Sequence, residues 1–176
     1  MTLSFSPSFS LAKSHQLVEI RSIFLKSMAY IGDRMGIGQP ANAFSNMRDF
    51  YQCGNLYVLE DRGLVLAAAA LHEVDGALYI DYLAVHRDHQ KEGLGKRMIA
   101  ELEMLTESRE LHQLRLHTPE VMEDLIAFYN RRGFRETHRA LPSHGRDTFK
   151  RVHFCKPISL SDQSMDFEYE HDRQIA

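Results

Sequence analysis

The sequence predicts an α+β fold in which helices flank a mixed, mostly antiparallel central sheet. Two observations indicate this class. Segments with alternating apolar and polar residues are interleaved with segments whose apolar residues recur at helical spacing, and turn signals join successive strand-like segments. The chain has 176 residues, which suits one domain. The predicted order of elements is β-α-α-β-β-β-α-β-α-β-β, which is typical of an α+β domain with helices packed on a central sheet.

The first part of the chain is predicted to hold one short strand and two helices. Residues 4–10 alternate and contain Pro7, which is typical of an edge strand. Ser14 is placed to cap the first helix. The apolar residues of that helix fall at helical spacing at Leu17, Ile20, Phe24, Met28 and Ile31. A glycine-bearing break follows, and a second helix is predicted from Asn42 to about Tyr51.

Three antiparallel strands are predicted next, in immediate succession. They cover Leu56–Glu60, Leu64–Glu73 and Ala77–Val85. A turn at residues 61–63 joins the first strand to the second, and Asp75 followed by Gly76, a strong hairpin signal, joins the second to the third.

The remaining residues alternate between helices and strands. One helix has an apolar face made of Leu94, Met98, Leu102 and Leu105. Another helix is predicted from near Pro119 to about Arg132, with Gly133 as its stop. The last three predicted strands are His112–His117, Phe134–His138 and Thr148–Lys156.

The charge of the chain is spread unevenly. The formal net charge is −3. Residues 161–176 hold five acids and one base, a net of −4, so the rest of the chain carries +1. We therefore expect a folded domain over residues 1–157 and an acidic C-terminal tail over residues 158–176, with a composition typical of disordered segments. This balance predicts no nucleic-acid partner.

Membrane and secretion signals are also lacking in the sequence. The longest apolar run, Leu64–Leu71, has the length of a strand and not of a membrane span. The first residues lack the basic and apolar regions of a signal peptide. Cys53 and Cys155 lie in no disulfide pattern. We expect a cytoplasmic protein with no membrane partner.

The stretch from Val85 to Arg97 joins a predicted strand to a predicted helix and contains two closely spaced glycines. Gly93 and Gly95 allow the backbone to approach a ligand without side-chain clash. Amides at a helix start are unpaired donors and the helix dipole is positive there, so this loop favours an anionic ligand such as a pyrophosphate. Lys96 and Arg97 add positive charge that opposes helix stability, and a bound phosphate would account for both.

Two other anion-binding motifs do not match this loop. It lacks the lysine and Ser/Thr spacing of a P-loop, and it lacks the third glycine and the βαβ setting of a dinucleotide fingerprint. A glycine pair alone also occurs in strand-to-helix turns for purely structural reasons. Its interpretation therefore depends on other segments of the chain.

Residues 90–95 read Gln-Lys-Glu-Gly-Leu-Gly, which resembles the Gln/Arg-x-x-Gly-x-Gly/Ala pyrophosphate loop of the GNAT superfamily of N-acetyltransferases. Residues 79–85 resemble the fourth strand of that family. Residues 128–134, Phe-Tyr-Asn-Arg-Arg-Gly-Phe, resemble its fourth helix and the strand after it. The predicted element order is also the order of the family, so the resemblance covers residues 10–156.

The resemblance implies an enzyme that transfers an acetyl group from acetyl-CoA directly to a primary amine in a ternary complex. The pantetheine arm would pair with the backbone of residues 83–85, and the pyrophosphate would contact the amides of residues 91–96. The implied cofactor-binding residues are Leu83, Ala84, Val85, Gln90, Lys91, Glu92, Gly93, Leu94, Gly95, Lys96 and Tyr129. Neither cysteine lies in a motif, so nothing favours a covalent cysteine relay.

Tyr129 is the general acid that the resemblance implies, because its hydroxyl would protonate the departing thiolate. A tyrosine with an ordinary pKa of about 10 stays protonated at neutral pH. An amide of Leu83 or Val85 would stabilise the oxyanion that forms when the amine attacks the thioester. The family often has Asn and Ala where this chain has Met122 and Leu125. The alternative for Tyr129 is a plain core aromatic residue.

Asp81 is the candidate general base that would take a proton from the ammonium form of the acceptor. Its side chain is expected on the same face of the strand as Tyr79 and Leu83. Some GNAT enzymes carry a catalytic glutamate at the position of Tyr79. Glu73 and His117 are alternative bases, and a chain of water molecules is another. Each of these residues could also be an ordinary polar residue of a strand or strand end with no catalytic role.

Residues 30–40 and 140–147 are expected to line the acceptor side, because both are loops with glycine or proline. An acceptor that carries a carboxylate or phosphate would fit their positive side chains. Arginines are mostly exposed, however, so solvated surface charge is the preferred explanation. These side chains are Arg34, Arg139, His144 and Arg146.

Two other functions stay open from the sequence. One is a protein acetyltransferase that acts on N-terminal or lysine amines, and the other is a non-catalytic acyl-CoA-binding sensor. A homodimer also stays open, because no interface is identified. No metal is predicted, since His86 and His89 have no further ligands at the spacing of a zinc site.

Overall fold

A computed structural model gives the fold of residues 6–38 and 43–159. The predicted acidic tail lies outside the described residues, apart from Ile158 and Ser159. Ile158 still belongs to the folded region, because it packs against the core and its N–H donates to the carbonyl of His112 at 2.8 Å. The first residues of the predicted edge strand and Asn42 also lie outside the described residues.

Within the described residues, seven strands form one sheet. They are β1 Ser8–Leu11, β2 Leu56–Asp61, β3 Leu64–Val74, β4 Ala77–Val85, β5 Gln113–Pro119, β6 Arg135–Ala140 and β7 Arg151–Pro157. Their order in the sheet is β1-β2-β3-β4-β5-β7-β6, with only the pairing of β4 and β5 parallel. The predicted mixed, mostly antiparallel sheet and the predicted order of elements are confirmed.

Four helices are present in the described part of the chain. They are α1 Leu17–Met35, α2 Met47–Gln52, α3 Leu94–Ser108 and α4 Glu123–Asn130. In these residues no helix has both the length and the apolar character that a membrane crossing requires. The helices lie on both faces of the sheet, which therefore has a core on each side.

The two cores are separated by the buried strand β3. One core packs α3 and α4 against the sheet and includes Leu71, Met98 and Phe154. The other packs α1 and α2 against the opposite face and includes Phe24 and Val58. Residues 65–71 of β3 are buried along their whole length, which explains why this run is apolar without alternation.

The predicted cap of the first helix is wrong. A short 3₁₀ turn, Ser14–Gln16, precedes α1, and the residue that caps it is Lys13. The buried side chain of Gln16 accepts a hydrogen bond from the N–H of Lys13 at 2.8 Å and donates to Glu60 at 2.5 Å. Gln16 satisfies this helix start from three residues downstream, so Ser14 is not needed there.

The predicted start of the fourth helix is also wrong. Pro119 is the last residue of β5, where it lies opposite Arg151 of β7, and α4 begins only at Glu123. A proline is tolerated at a strand end because its missing N–H leaves no gap within the sheet. Its carbonyl accepts a hydrogen bond from the N–H of Met122 at 3.0 Å, which forms the turn into the helix.

Candidate active site

Strands β4 and β5 diverge halfway along their length. Their parallel pairing covers only Ala77–Ile80 of β4 and Gln113–Leu116 of β5. Beyond this point β4 continues to Val85 and β5 to Pro119, and the two strands no longer pair. The divergence leaves an opening in the middle of the sheet.

Backbone groups of β4 point into this opening. The N–H of His86 donates to the carbonyl of Leu66 in β3 at 2.8 Å. Since hydrogen-bonding directions alternate along a strand, Ala84 and Tyr82 also face β3, and Leu83 and Val85 face the opening. Of the predicted residues 83–85, two therefore present free backbone groups, and Ala84 does not.

A β-bulge lies in β4 at the same point. Tyr82 lies opposite Ala70, and Ile80 lies opposite Leu71, so Asp81 is the extra residue of the bulge. The expectation that Asp81 shares a face with Tyr79 is confirmed, because both side chains contact His72. The expectation that Leu83 lies on that face as well is wrong, because the bulge reverses the alternation after Asp81. Leu83 packs against the core on the α3 side, whereas Asp81 contacts His72 on the opposite face.

A cleft of about 680 Å³ lies beside the opening. The C-terminal half of α1 gives it an apolar wall that includes Met28, Ile31 and Met35. The other walls come from β4, β5, α4, residues 37–38 and 43–46 before α2, and the segment that leads into β7. Among the predicted catalytic candidates, the cleft is lined by Asp81, His117 and Tyr129.

Tyr129 lies near the end of α4 with 8% of its surface exposed. Phe128, Phe134 and Phe154 surround its ring at centroid distances of 5.2, 5.6 and 5.9 Å. Burial raises the pKa of Tyr129 to about 12, with the nearby Arg132 acting weakly in the other direction. No hydrogen bond to its hydroxyl group is found within the described residues, so this group is free to contact a ligand in the cleft.

Asp81 forms a close pair with His72 of β3. The distance between Asp81 Oδ2 and His72 Nδ1 is 2.5 Å. The side chain of Asp81 is 25% exposed and that of His72 is 44% exposed. Burial raises the pKa of Asp81, and the hydrogen bond and charge of His72 partly offset this rise. The sequence did not single out His72, because its contact with Asp81 depends on the register in which β3 and β4 pair.

His117 of β5 is bonded to Tyr79 of β4 across the start of the opening. The Tyr79 hydroxyl and His117 Nδ1 are 2.5 Å apart. His117 is open to the cleft, yet desolvation by its surroundings and the nearby His153, Arg151 and His144 lower its pKa to about 4. Burial and the nearby Asp81 raise the pKa of Tyr79 to about 12. Both groups are therefore neutral at neutral pH.

The loop before α3 has the geometry expected of an anion site. Gly93 caps α3 with a φ of 82°, which glycine adopts without strain. The N–H of Arg97 makes the first hydrogen bond of the helix, to Gly93 at 3.0 Å, so the amides of residues 94–96 precede the bonded ladder. Gly95 packs against α4, because a Cβ there would lie 3.3 Å from Cζ of Phe128.

Arg97 has a structural partner instead of a free charge. Its guanidinium donates to the carbonyl of Pro7 at 2.5 Å and lies 3.6 Å from Glu101. The expectation that a phosphate accounts for Arg97 is therefore wrong. Lys96 is exposed at the first turn of α3, where it remains available to an anion.

Several other predicted candidates lie away from the cleft. Glu73 pairs with Arg109 at 2.7 Å on the α3 side of the sheet, which removes it as a base. Arg139 is bound to Glu136 at 2.7 Å, and Arg34 donates to the carbonyl of Val121 at 3.1 Å. Neither arginine lines the cleft.

The segment between β6 and β7 does reach the cleft. His144 and Arg146 line it, as do Asp147 and Arg151. Arg151 binds both carboxylate oxygens of Asp147, at 3.0 and 2.8 Å, and this pairing lowers the pKa of Asp147. The sequence did not predict this buried ion pair, because nothing in it indicates that Asp147 of the loop and Arg151 of the predicted strand are buried together. Among the described residues, no group of three or more His, Cys, Asp or Glu side chains is arranged to hold a metal ion.

Comparison with protein families gives a match in the middle of the chain. Residues 52–136 match the family model described as the acetyltransferase (GNAT) domain. The matched region runs from the end of α2 to the start of β6, so it includes the opening, the loop before α3 and Tyr129. No curated protein sequence matches the chain.

Solved structures with the same fold include several acetyltransferases. The ribosomal-protein-S18-alanine N-acetyltransferase of Escherichia coli gives a TM-score of 0.63 at 19% identity, covering 92% of this chain and 99% of that one. A GNAT-family acetyltransferase of Staphylococcus aureus gives 0.69 at 13%, covering 88% and 100%. The PaiA N-acetyltransferase of Thermoplasma acidophilum, in complex with coenzyme A, gives 0.68 at 14%, covering 86% and 99%. At these identities the likeness concerns the fold, and it confirms the predicted fold class.

Proposed function

We propose that the protein transfers the acetyl group of acetyl-CoA directly to a primary amine bound in the cleft. Residues 52–136 match the GNAT acetyltransferase domain, so the chain belongs to the GNAT superfamily and is an acyltransferase. The observation that carries this proposal is the opening between β4 and β5. Asp81 and Tyr129 line the cleft beside that opening. An acyl donor in the opening would therefore meet an acceptor in the cleft.

The residues proposed to bind acetyl-CoA fall into two groups. Leu83 and Val85 offer backbone groups to the pantetheine arm, which would add to β4 as an extra strand. The loop of residues 90–96 offers unpaired amides at the start of α3 to the pyrophosphate. Gly95 fits this role because its missing side chain lets α3 and α4 approach. When bound, acetyl-CoA supplies an activated acetyl thioester.

Tyr129 is proposed as the general acid. Its raised pKa keeps the hydroxyl protonated, so it can donate a proton to the departing thiolate. The aromatic rings around it exclude water and hold it in one orientation. The N–H groups of Leu83 and Val85 face the opening and are proposed to stabilise negative charge on the thioester oxygen.

Asp81 is proposed as the general base. It lines the cleft, it is partly buried, and its pKa is raised by burial, which brings a carboxylate closer to the range useful for proton transfer near neutral pH. His117 also lines the cleft, but a pKa of about 4 makes it a weak base. Glu73 is bound to Arg109 and lies on the other face.

The acceptor is proposed to be a small amine with an apolar body. The cleft volume of about 680 Å³ is that of a small-molecule site. Met28, Ile31 and Met35 of α1 would pack against the body of the acceptor, and Asp81 would attract its ammonium group. A protein amine remains the second candidate, since similar folds include an enzyme described as acting on ribosomal protein S18.

The test of this function is release of the coenzyme A thiol in the presence of single amines. We would compare phenethylamine, spermidine, free lysine and a peptide with an N-terminal alanine. We expect thiol release with phenethylamine, matched mole for mole by acetylated amine in mass spectrometry. Turnover of the peptide alone would favour a protein acceptor. Binding of acetyl-CoA with no turnover on any amine would favour the acyl-CoA sensor and contradict the proposal.

A further inference from the structure

We propose that His72 is a positioning residue for Asp81, which it holds in the anionic form with one carboxylate oxygen directed to the acceptor. This inference rests on the proposed role of Asp81 as the general base. It concerns a residue of β3 that lies outside every motif of the sequence. The geometry that carries it is the pair formed by the two side chains at the bulge of β4.

The strand register places the two side chains side by side. Leu78 and Ile80 face the α3 side, so Tyr79 and Asp81 face the side of the sheet on which His72 lies. Asp81 Oδ2 lies 2.5 Å from His72 Nδ1. His72 in turn lies opposite Tyr79 in the strand register, with ring centroids 5.0 Å apart. Two strands therefore hold the imidazole in place.

The hydrogen bond to His72 gives the two carboxylate oxygens of Asp81 different roles. A proton on His72 Nδ1 is donated in a hydrogen bond to Oδ2, which leaves Oδ1 for the acceptor in the cleft. In the proton transfer, an N–H bond of the acceptor ammonium breaks and an O–H bond forms at Oδ1. The electron pair stays on the nitrogen, which then attacks the thioester, and Asp81 later releases the proton to water.

His72 is also the group that favours the charged form of Asp81 most directly. Burial raises the pKa of Asp81, while the hydrogen bond and charge of His72 lower it. The other titratable or charged groups around this cleft come from β4, β5, α4 and the segment leading into β7. They are Tyr79, Tyr82, His117, Tyr129, His144, Arg146, Asp147 and Arg151. The wall that α1 contributes to the cleft is apolar.

The experiment measures the titration of Asp81 directly by carbon-13 NMR of its carboxyl group. The full chain is labelled at aspartate, and the Asp81 signal is assigned by its loss in Asp81→Asn. We expect His72→Leu to raise the titration midpoint of Asp81 by about one pH unit. We expect His72→Asn, whose amide can replace the Nδ1–H donor, to restore most of this difference. His138→Leu, a strand histidine outside the cleft, is the matched control and leaves the midpoint unchanged.

The same variants are assayed for acetyl transfer to phenethylamine between pH 5 and 9. We expect the acid limb of the kcat profile to move upward in His72→Leu by the shift that NMR measures, with the KM for acetyl-CoA unchanged. An Asp81 midpoint that is the same in wild type, His72→Leu and His72→Asn overturns the inference. Full activity of Asp81→Asn is a different result, because it removes Asp81 as the base and so contradicts the proposed function.

Discussion

At the scale of single residues, Tyr129 combines a packed ring with a hydroxyl that makes no hydrogen bond to the described residues. Three phenylalanine rings surround the ring, and burial raises the pKa of the hydroxyl to about 12. The ring of Tyr129 therefore serves packing, and its hydroxyl is proposed to serve the reaction. A change that removes only the hydroxyl should therefore affect the reaction and leave the fold intact.

We expect Tyr129→Phe to lower kcat about a hundredfold, because a positioned general acid contributes a factor of this order. The free energy of unfolding should change by less than about 1 kcal/mol, since the ring contacts remain. Steady-state kinetics and urea unfolding measure the two quantities. Tyr57→Phe is the control, because the Tyr57 hydroxyl binds Arg109 away from the cleft, and it should leave kcat unchanged. Wild-type kcat in Tyr129→Phe would rule out the acid role.

The lowered pKa of His117 predicts how the free energy of unfolding depends on pH. Its pKa falls from 6.5 in a free side chain to about 4 in the folded protein. Between these values the unfolded chain binds more protons than the folded chain, so the free energy of unfolding increases with pH across this window. His117→Asn should reduce that increase. Urea unfolding at pH 4.5 and pH 7 measures the difference, and equal pH dependence in both proteins would contradict the assigned pKa.

At the scale of elements, the start of α3 depends on its contact with α4. A Cβ at Gly95 would lie 3.3 Å from Cζ of Phe128 and 3.8 Å from Cγ2 of Val85. The Phe128 ring has little room to retreat, because the Arg132 guanidinium lies 3.7 Å from its centroid. The glycine therefore sets the distance between the proposed pyrophosphate loop and the helix that carries Tyr129.

We expect Gly95→Val to destabilise the fold by about 1–3 kcal/mol through overpacking. It should also weaken acetyl-CoA binding by at least about tenfold, because the loop amides would move with the helix start. Isothermal titration calorimetry and urea unfolding measure these effects. Ala100→Val, at an exposed position of the same helix, tests the helix propensity of valine alone. Equal acetyl-CoA affinity in Gly95→Val and Ala100→Val would show that the close approach has no bearing on binding.

At the scale of the whole molecule, the order and type of the elements could be predicted because each has its own periodicity and turn signals. The hairpin at Asp75 and Gly76 fixes the register of β3 and β4 locally. Helix starts were harder to predict, since the side chain of Gln16 replaces the predicted cap at Ser14 through a contact with the distant Glu60. Pro119 ends a strand because its partner, Arg151, comes much later in the chain.

The candidate site was predictable only in part, for the same physical reason. The glycine loop and Tyr129 belong to local motifs, so the sequence could identify them. The bulge at Asp81 depends on how β3 and β4 pair, and no periodicity within β4 marks it. The opposite faces of Asp81 and Leu83 follow from that bulge, and the pairing of Asp81 with His72 follows from the register of β3 and β4. These side-chain positions could be assigned only once the register of the strands was known.

The measurement that tests the central claim most directly is thermal unfolding with and without acetyl-CoA. A ligand that binds only the folded state raises stability by about 2.7 kcal/mol at a hundred times its Kd. The account predicts a clear rise in Tm for the wild-type protein and a smaller rise for Gly95→Val at the same acetyl-CoA concentration. An unchanged wild-type Tm at millimolar acetyl-CoA would contradict the assignment of the β4–β5 opening and the loop before α3 as an acyl-CoA site.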